Sequence, residues 1–328
     1  MKKIHYTLII LLLIFPFSTY TQDYNWYKGN THCHTTNSDG DELPRKVVRW
    51  YQDHGYNFLI ITDHNFLTEI KYLDTDANDD FILIQGEEVT DSYNKTPIHL
   101  NAININKCIE PQHGSNKVET LQNNINAIID AGGLVQINHP NWRWAFTDKE
   151  MSQLKGSHLF EISNSSYNCN NFGAGGNPGM EEIWERLLSQ GILMYGVASD
   201  DAHDYTGEFS PQKSNPGTGW IMVKTIKLTP KAIIEALKKG EFYATIGVIL
   251  KDITITKNKY IIEIIKQEDD IKYTTTFIGK NGKILKESFD MRAVYAFKGD
   301  ESYVRARIFA SSGEFACTQP VFLKDSSQ

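Results

Sequence analysis

The chain is short of several things. Only four cysteines (Cys33, Cys108, Cys169, Cys317) occur in 328 residues, and their spacing matches no compact disulfide framework, which excludes a small stapled fold. Buried thiols are the better expectation than a Cys108–Cys169 bridge, which no spacing rule supports. With 10 prolines, 23 glycines and no internal repeat, collagen-like and low-complexity architectures are excluded. Positive charge is scarce: 33 Lys and Arg face 40 Asp and Glu, for a net charge of −7. Past residue 21 no basic run is longer than a pair such as Lys238-Lys239, which argues against a surface that coats nucleic acid. Long apolar runs are missing too, since Leu8–Phe17 is too short to span a bilayer and is broken by Pro16. A hydrophobic content of 41% nevertheless suits folded globular structure and excludes general disorder.

The apolar run at the N-terminus follows Met1-Lys2-Lys3 and precedes Ser18-Thr19-Tyr20-Thr21, the order of a secretory signal peptide over residues 1–21. No cysteine follows the run, so a lipid anchor is not indicated. The expectation is a secreted or periplasmic protein, still more acidic once Lys2 and Lys3 are removed, with no membrane span after cleavage.

At about 150 residues per domain the length suggests roughly two domains. From residue 22 to 243 short apolar runs alternate with helical patterns. Strands are predicted at Gly29–His34, Asn57–Thr62, Phe81–Glu88, Leu134–Asn138, Leu159–Ser163, Met194–Ser199 and Trp220–Val223. Helices are predicted at Pro44–His54, Lys117–Ala131, Met180–Gln190 and Pro230–Lys239, with proline opening two of them and glycine following each. Strands each followed by a helix or loop favour a barrel-like parallel sheet. Residues 244–328 change texture to period-two alternation with Asn-Gly turns, predicting a small C-terminal antiparallel β domain of sandwich type. Nothing sets an oligomeric state.

Among the 10 histidines, six sit in polar clusters at predicted strand ends: Thr31-His32-Cys33-His34, Thr62-Asp63-His64-Asn65, His99-Leu100, Asn138-His139-Pro140 and Asp201-Ala202-His203. Asp39 follows the first cluster, and Gly86-Glu87-Glu88 adds acids at another strand end. His-x-His on a strand puts both rings on one face and Cys33 on the other. Imidazole and carboxylate donors without thiolate suit Zn, Mn or Fe. One strand-end histidine is more often a hydrogen-bonded structural residue; six histidines with three acids, gathered at one barrel mouth, point instead to metal. His54, His113 and His158 read as structural.

The motifs Asn30-Thr-His-Cys-His-Thr-Thr-Asn-Ser-Asp-Gly40, Ile61-Thr-Asp-His-Asn65, Gly86-Glu-Glu-Val-Thr90, His99, Asn138-His-Pro140 and Ala198-Ser-Asp-Asp-Ala-His203 together resemble the PHP (polymerase and histidinol phosphatase) family, over most of residues 27–205. The exported character, Ser38-Asp39-Gly40, Asn141-Trp142-Arg143-Trp144 and the C-terminal β region are most similar to its carbaryl-hydrolase branch. The resemblance implies an α/β fold, a distorted (β/α)7 barrel, with two or three divalent metal ions at its mouth. It implies His32, His34, Glu88 and Asp201 around the first ion, Glu88, His99 and His139 around the second, and Asp39, His64 and His203 around the third. Glu88 is preferred to Glu87, and Asp201 to Asp200, by family spacing; Asp39 stands where several relatives carry histidine.

The expected activity is a metal-dependent hydrolysis, with a metal-bridging hydroxide attacking a small phosphate mono- or diester. Three divalent ions would leave the site positive and able to hold an anion inside an acidic protein. A carboxylic ester or carbamate hydrolase would use the same ligands, and a non-catalytic, metal-containing glycan- or partner-binding protein is a third reading. A second cation at the site would favour phosphate, and an apolar mouth built on Trp142, Trp144 and Phe146 an aryl ester or carbamate. Asp63 is a candidate to orient an imidazole, or equally a helix N-cap. Arg143 is a candidate contact for an anionic substrate, or a surface arginine packed on tryptophan.

Overall fold

In a computed structural model that describes residues 24–73 and 80–323, proline and glycine punctuate the helices much as expected. The expected signal peptide, residues 1–21, lies outside the described residues. No described helix is long and apolar enough to cross a membrane. In chain order the elements are β1 (Asn25–Asn30), α1 (Pro44–Asp53), β2 (Phe58–Ile60), β3 (Ile82–Ile84), β4 (Gly86–Tyr93), β5 (Thr96–Ile103), α2 (Lys117–Asp130), β6 (Leu134–Ile137), α3 (Asp148–Met151), β7 (Leu159–Asn164), α4 (Met180–Ser189), β8 (Tyr195–Ser199), β9 (Trp220–Thr225), α5 (Pro230–Lys239) and β10 (Phe242–Thr245). The rest is β: β11 (Leu250–Ile255), β12 (Lys259–Ile264), β13 (Tyr273–Gly279), β14 (Lys283–Ser288), β15 (Arg292–Ala296), β16 (Tyr303–Ala310), β17 (Phe315–Thr318) and β18 (Val321–Phe322).

Pro44 and Pro230 open α1 and α5, where a missing N–H costs nothing, and Gly240 ends α5 at φ 71°, a conformation that favours glycine. Helix α2 puts Leu121, Ile125 and Ile128, and α4 puts Ile183, Trp184 and Leu187, into one core with Leu100, Ile137, Phe160 and Ala198. Each such side chain contributes about 1.5–3 kcal/mol by leaving water.

A closed (β/α)7 barrel was expected, and none is found among the described residues. The architecture is a mixed α/β one, with one sheet ordered β14-β13-β16-β17-β10-β9-β1-β2-β3, a second ordered β4-β5-β6-β7-β8, and a third ordered β11-β12-β15. Two isolated parallel bridges, Cys33 to Ala202 and His64 to Glu88, link the first two sheets or the segments that leave them, and the sheets also pack on one another through a shared core that includes Phe58, Leu134, Val197 and Ile221. Two local causes explain the departure. Strands β4 and β5 form an antiparallel hairpin with Asn94 and Lys95 at positive φ, so no helix crosses over there and β5 pairs antiparallel with β6. Beyond β1 and β2, moreover, the chain leaves the ladder as it enters the polar segments that carry His32, His34 and His64.

The expected boundary between residues 243 and 244 falls inside β10, which pairs antiparallel with β9 on one side and β17 on the other. The C-terminal strands thus continue the sheet that begins at β1, and they enclose a core built on Tyr260, Ile262, Phe277, Tyr295 and Ala306. Cys33, Cys169 and Cys317 are buried free thiols as expected; Cys108 is also free but exposed.

Candidate metal centre

The segments that leave β1, β2, β6 and β8 converge with the β4–β5 hairpin on a cavity of about 260 Å³. Its lining includes Asp39, His64, Glu88, His99, His139, Asp201 and His203, while His32 and His34 lie beneath it, fully buried. Cys33 points the other way, into the core with Val47 and Tyr51, as alternation on an extended segment requires. Glu88 and His99 lie within strands rather than at strand ends. His99 pairs with Thr90 across the hairpin, and Thr90 shares a face with Glu88, so both ligand candidates project to the same side. The structure therefore brings together all nine side chains expected around metal.

Their donor atoms are close. Asp201 Oδ1 lies 3.1 Å from His32 Nε2 and 3.1 Å from His34 Nε2. Glu88 Oε1 is 3.3 Å from His32 Nε2, 3.2 Å from His99 Nδ1 and 3.3 Å from His139 Nε2, and Glu88 Oε2 is 2.8 Å from His64 Nδ1. Asp39 reaches His34 Nδ1 at 3.6 Å, His64 Nε2 at 3.5 Å and His203 Nε2 at 3.3 Å. Donor atoms of His34, Asp39, His64 and His203 form one group spaced to hold an ion, those of His32, His34 and Asp201 a second, and those of His64, Glu88 and His99 a third. Glu88 thus stands between clusters, within reach of His32, His99 and His139.

Three buried atoms in the cluster, His32 Nε2, Glu88 Oε2 and His99 Nδ1, make no hydrogen bond. Buried polar atoms are nearly always satisfied, and orphans among clustered imidazoles and carboxylates fit cations. Burial alone would raise the carboxyls of Glu88 and Asp201, yet the surrounding imidazoles hold both well below the usual carboxylate range. Burial opposes charge on the imidazoles as well, but Glu88 and Asp39 raise His64 to about 10, and Asp39 and Asp201 raise His203 to about 9. His34 goes the other way, to about 3, because burial and the neighbouring His203 disfavour its charge. A metal ion would replace these protons. Two of the ligand candidates, His139 and Asp201, also adopt positive φ, 20° and 48°, a conformation that costs a non-glycine residue energy.

A residue that sequence reasoning passed over organises the cluster. Glu161, in β7 and fully buried, accepts His32 Nδ1 at 2.7 Å, Ser199 Oγ at 2.6 Å, the His139 backbone N–H at 2.8 Å and Asn164 Nδ2 at 3.0 Å. The first bond fixes the Nδ1–H tautomer of His32 and turns Nε2 toward Glu88 and Asp201. The available signal was a lone Glu inside the apolar run Leu159–Ser163, a buried charge that demands partners. His32, His139 and Glu161 also each offer an atom close enough for the three to share an ion.

Asp63 touches no imidazole. It accepts Thr35 N at 2.7 Å, Thr35 Oγ1 at 2.8 Å, Ser38 Oγ at 2.9 Å and Thr68 Oγ1 at 2.5 Å, so it holds the turn that presents Asp39. Arg143 does not line the cavity; its guanidinium lies 4.6 Å from the Trp142 ring, the packed-arginine alternative. The apolar mouth is not formed either, since Phe146 is buried in the core and Trp144 is exposed, leaving Trp142 against the His99 and His139 rings. Asp200, the alternative to Asp201, faces away and accepts the backbone N–H groups of Gly217, Thr218 and Gly219 and the hydroxyl of Tyr51. Glu87 likewise accepts Ile109 N at 2.6 Å, outside the cluster.

No family model and no curated protein matches the chain. Solved structures do. A two-domain protein from Bacteroides vulgatus, described as containing a predicted PHP-like metal-dependent phosphoesterase, superposes with a TM-score of 0.51 at 15% identity, over 87% of this chain and 90% of that one. A protein from Bifidobacterium adolescentis, named as a candidate metal-dependent phosphoesterase, gives 0.41 at 17% identity over 57% of this chain and 89% of that one. An amidohydrolase from Chromobacterium violaceum gives 0.39 at 14% identity over 57% and 93%. The first of these likenesses establishes that the chain has a PHP-like fold.

Proposed function

We propose that this chain of PHP-like fold is an exported metal-dependent hydrolase that cleaves a small phosphate ester. The observation that carries the reading is the convergence of six histidines and three carboxylates on one cavity with buried donor atoms left unbonded. His32, His34, Glu88 and Asp201 would hold one ion, Glu88, His99 and His139 a second, and Asp39, His64 and His203 a third, with Zn, Mn and Fe all suited to the donor set. Divalent ions there supply Lewis acidity and acidify a water molecule. The protein's part is to keep the imidazoles in the right tautomers, which Glu161 does for His32, to hold the Asp39 turn through Asp63, and to bury the cluster so that its charges act in a low dielectric. Hydrolysis forms one new P–O bond from water, breaks the bond to the leaving oxygen, and leaves the alcohol with a proton.

A second reading, hydrolysis of a carboxylic ester or carbamate, is favoured by one observation: no lysine or arginine lines the cavity among the described residues. Positive charge for a phosphate would then come from the metals alone. Export rests on residues 1–21, with Lys2-Lys3 ahead of Leu8–Phe17. The test is to assay metal-loaded mature protein against phosphomonoesters, phosphodiesters, aryl esters and carbamates beside a His32→Ala, His34→Ala control. Phosphomonoester turnover lost in the control supports the first reading. Turnover of carboxyl or carbamate esters alone supports the second, and activity untouched by the double substitution contradicts both.

A further inference from the structure

The metal-ligand candidates form the floor of the cavity, and its outer wall has different chemistry. Ser166, Tyr167 and Asn168 come from the loop after β7, Asp204 and Ser214 from the loop after β8, and Trp142 closes the remaining side. Ser166 Oγ and Ser214 Oγ lie 2.6 Å apart and tie the two loops together. Asp204 Oδ2 accepts the Ser214 backbone N–H at 2.8 Å, which fixes the carboxylate plane, while Oδ1 receives no hydrogen bond from the described residues. Tyr167 is 59% exposed, and the Trp142 ring is held 5.2 Å from that of His99.

We propose that this wall binds an uncharged, hydroxyl-rich leaving group, so that the substrate is the phosphate monoester of a sugar or polyol; the proposal rests on the phosphoesterase reading above. A hydroxyl both donates and accepts, and here it meets a fixed carboxylate oxygen, an amide and two serine hydroxyls that can do the same. The aromatic rings of Trp142 and Tyr167 offer flat apolar surface to the C–H face of a sugar ring. Two other leaving groups fit badly. A second phosphate would approach Asp204 with no lysine or arginine to neutralise it, and like charges across a binding surface select against the wrong ligand. A plain aryl group would bury Asp204 Oδ1 and the Asn168 side-chain NH2 with no partner, the kind of loss by which polar sites reject apolar analogues.

The test uses the metal-loaded mature protein and follows tryptophan fluorescence during titration with a hexose 1-phosphate, a hexose 1,6-bisphosphate and phenyl phosphate, with hydrolysis of each measured separately. The hexose monophosphate is expected to bind about tenfold more tightly than the other two. Asp204→Asn, which keeps an acceptor for Ser214 N, is expected to tighten the bisphosphate and close most of its gap. Ser166→Ala gives an independent check and is expected to weaken only the hexose esters. Bisphosphate or phenyl phosphate binding as tightly as the hexose monophosphate, an order unchanged in Asp204→Asn, or no binding at all would overturn the assignment. Absent hydrolysis with the binding order kept would instead sink the phosphoesterase reading while supporting the wall.

Discussion

Glu161→Gln separates a positioning role from a packing one, because the change preserves size and shape. Glu161 Oε1 accepts His32 Nδ1 and Ser199 Oγ, and Oε2 accepts the His139 N–H and Asn164 Nδ2. Every partner donates, including Gln136 Nε2 to Oε1 at 3.3 Å, so the new amide sets its own NH2 against two or three of them whichever way it turns. Each buried donor left unpaired costs about 1–3 kcal/mol, and a charge-assisted bond is worth roughly twice a neutral one. The expected loss is therefore about 2–6 kcal/mol of stability. Part of it falls on the site, as a drop in metal affinity of about 10–100-fold once His32 and the His139 backbone are no longer held. Competition against a chelator of known affinity measures the second quantity, and urea unfolding of the metal-free protein the first. Glu185→Gln is the control. Glu185 is buried between α4 and β16, where it accepts the Tyr303 hydroxyl and pairs with Arg305, which is 3% exposed, far from the cluster. It should lose stability of the same order, with metal affinity unchanged. A Glu161→Gln protein that binds metal within threefold of the parent would refute the positioning argument. Loss of one whole equivalent of metal would show that Glu161 is itself a ligand.

Further outcomes follow from the electrostatics and the thiols. With His64 raised to about 10 and His203 to about 9, both are protonated in the metal-free protein at pH 7 and must become neutral to ligate. Metal binding at pH 7 should thus release at least two protons, with more from His32 and His139, whose buried imidazoles the neighbouring carboxylates also raise, read by calorimetry in buffers of different ionisation enthalpy, and affinity should climb with pH until about 10; no proton release would contradict the shifts. In the same metal-free protein, because these folded values lie above the ordinary 6.5, the stability they contribute is full below about pH 6.5 and is lost as pH rises through about 9 to 10. That window is measured by denaturant midpoints across pH. Metal that binds only the folded state should stabilise it by about 4 kcal/mol at a thousandfold excess over its dissociation constant, seen as a higher melting temperature that a chelator reverses. Of the four cysteines only Cys108 should react in the folded protein, and slowly, since partial burial and the Glu87 carboxylate raise its thiol to about 11. Two fast-reacting thiols would contradict the packing of Cys33, Cys169 or Cys317.

The parts of this architecture legible in the sequence were those with a local cause. Pro44, Pro230 and Gly240 announced helix ends because their effect on φ does not depend on the rest of the chain. The His-x-His pair was readable because alternation on an extended segment is independent of which strand it pairs with. Strand β5 was not predicted, since its hairpin turns on Asn94-Lys95 rather than Asn-Gly, although Asn at positive φ was a usable hint. The sheets are bridged by backbone only at single positions, Cys33 and His64, and no local pattern encodes those. Asp63 shows the same limit: its neighbour His64 suggested an imidazole partner, while its actual partners, Thr35, Ser38 and Thr68, follow from the path of two loops.

The central claim is that the orphaned donor atoms of this cavity surround metal. Anomalous scattering from crystals of the mature protein grown with Mn²⁺ tests it most directly. Two or three peaks are expected inside the cluster, one beside Glu88 and His99 and one beside His32, His34 and Asp201, with the former lost in Glu88→Ala. Crystals with no peak within coordinating distance of Glu88 or Asp201 would contradict it.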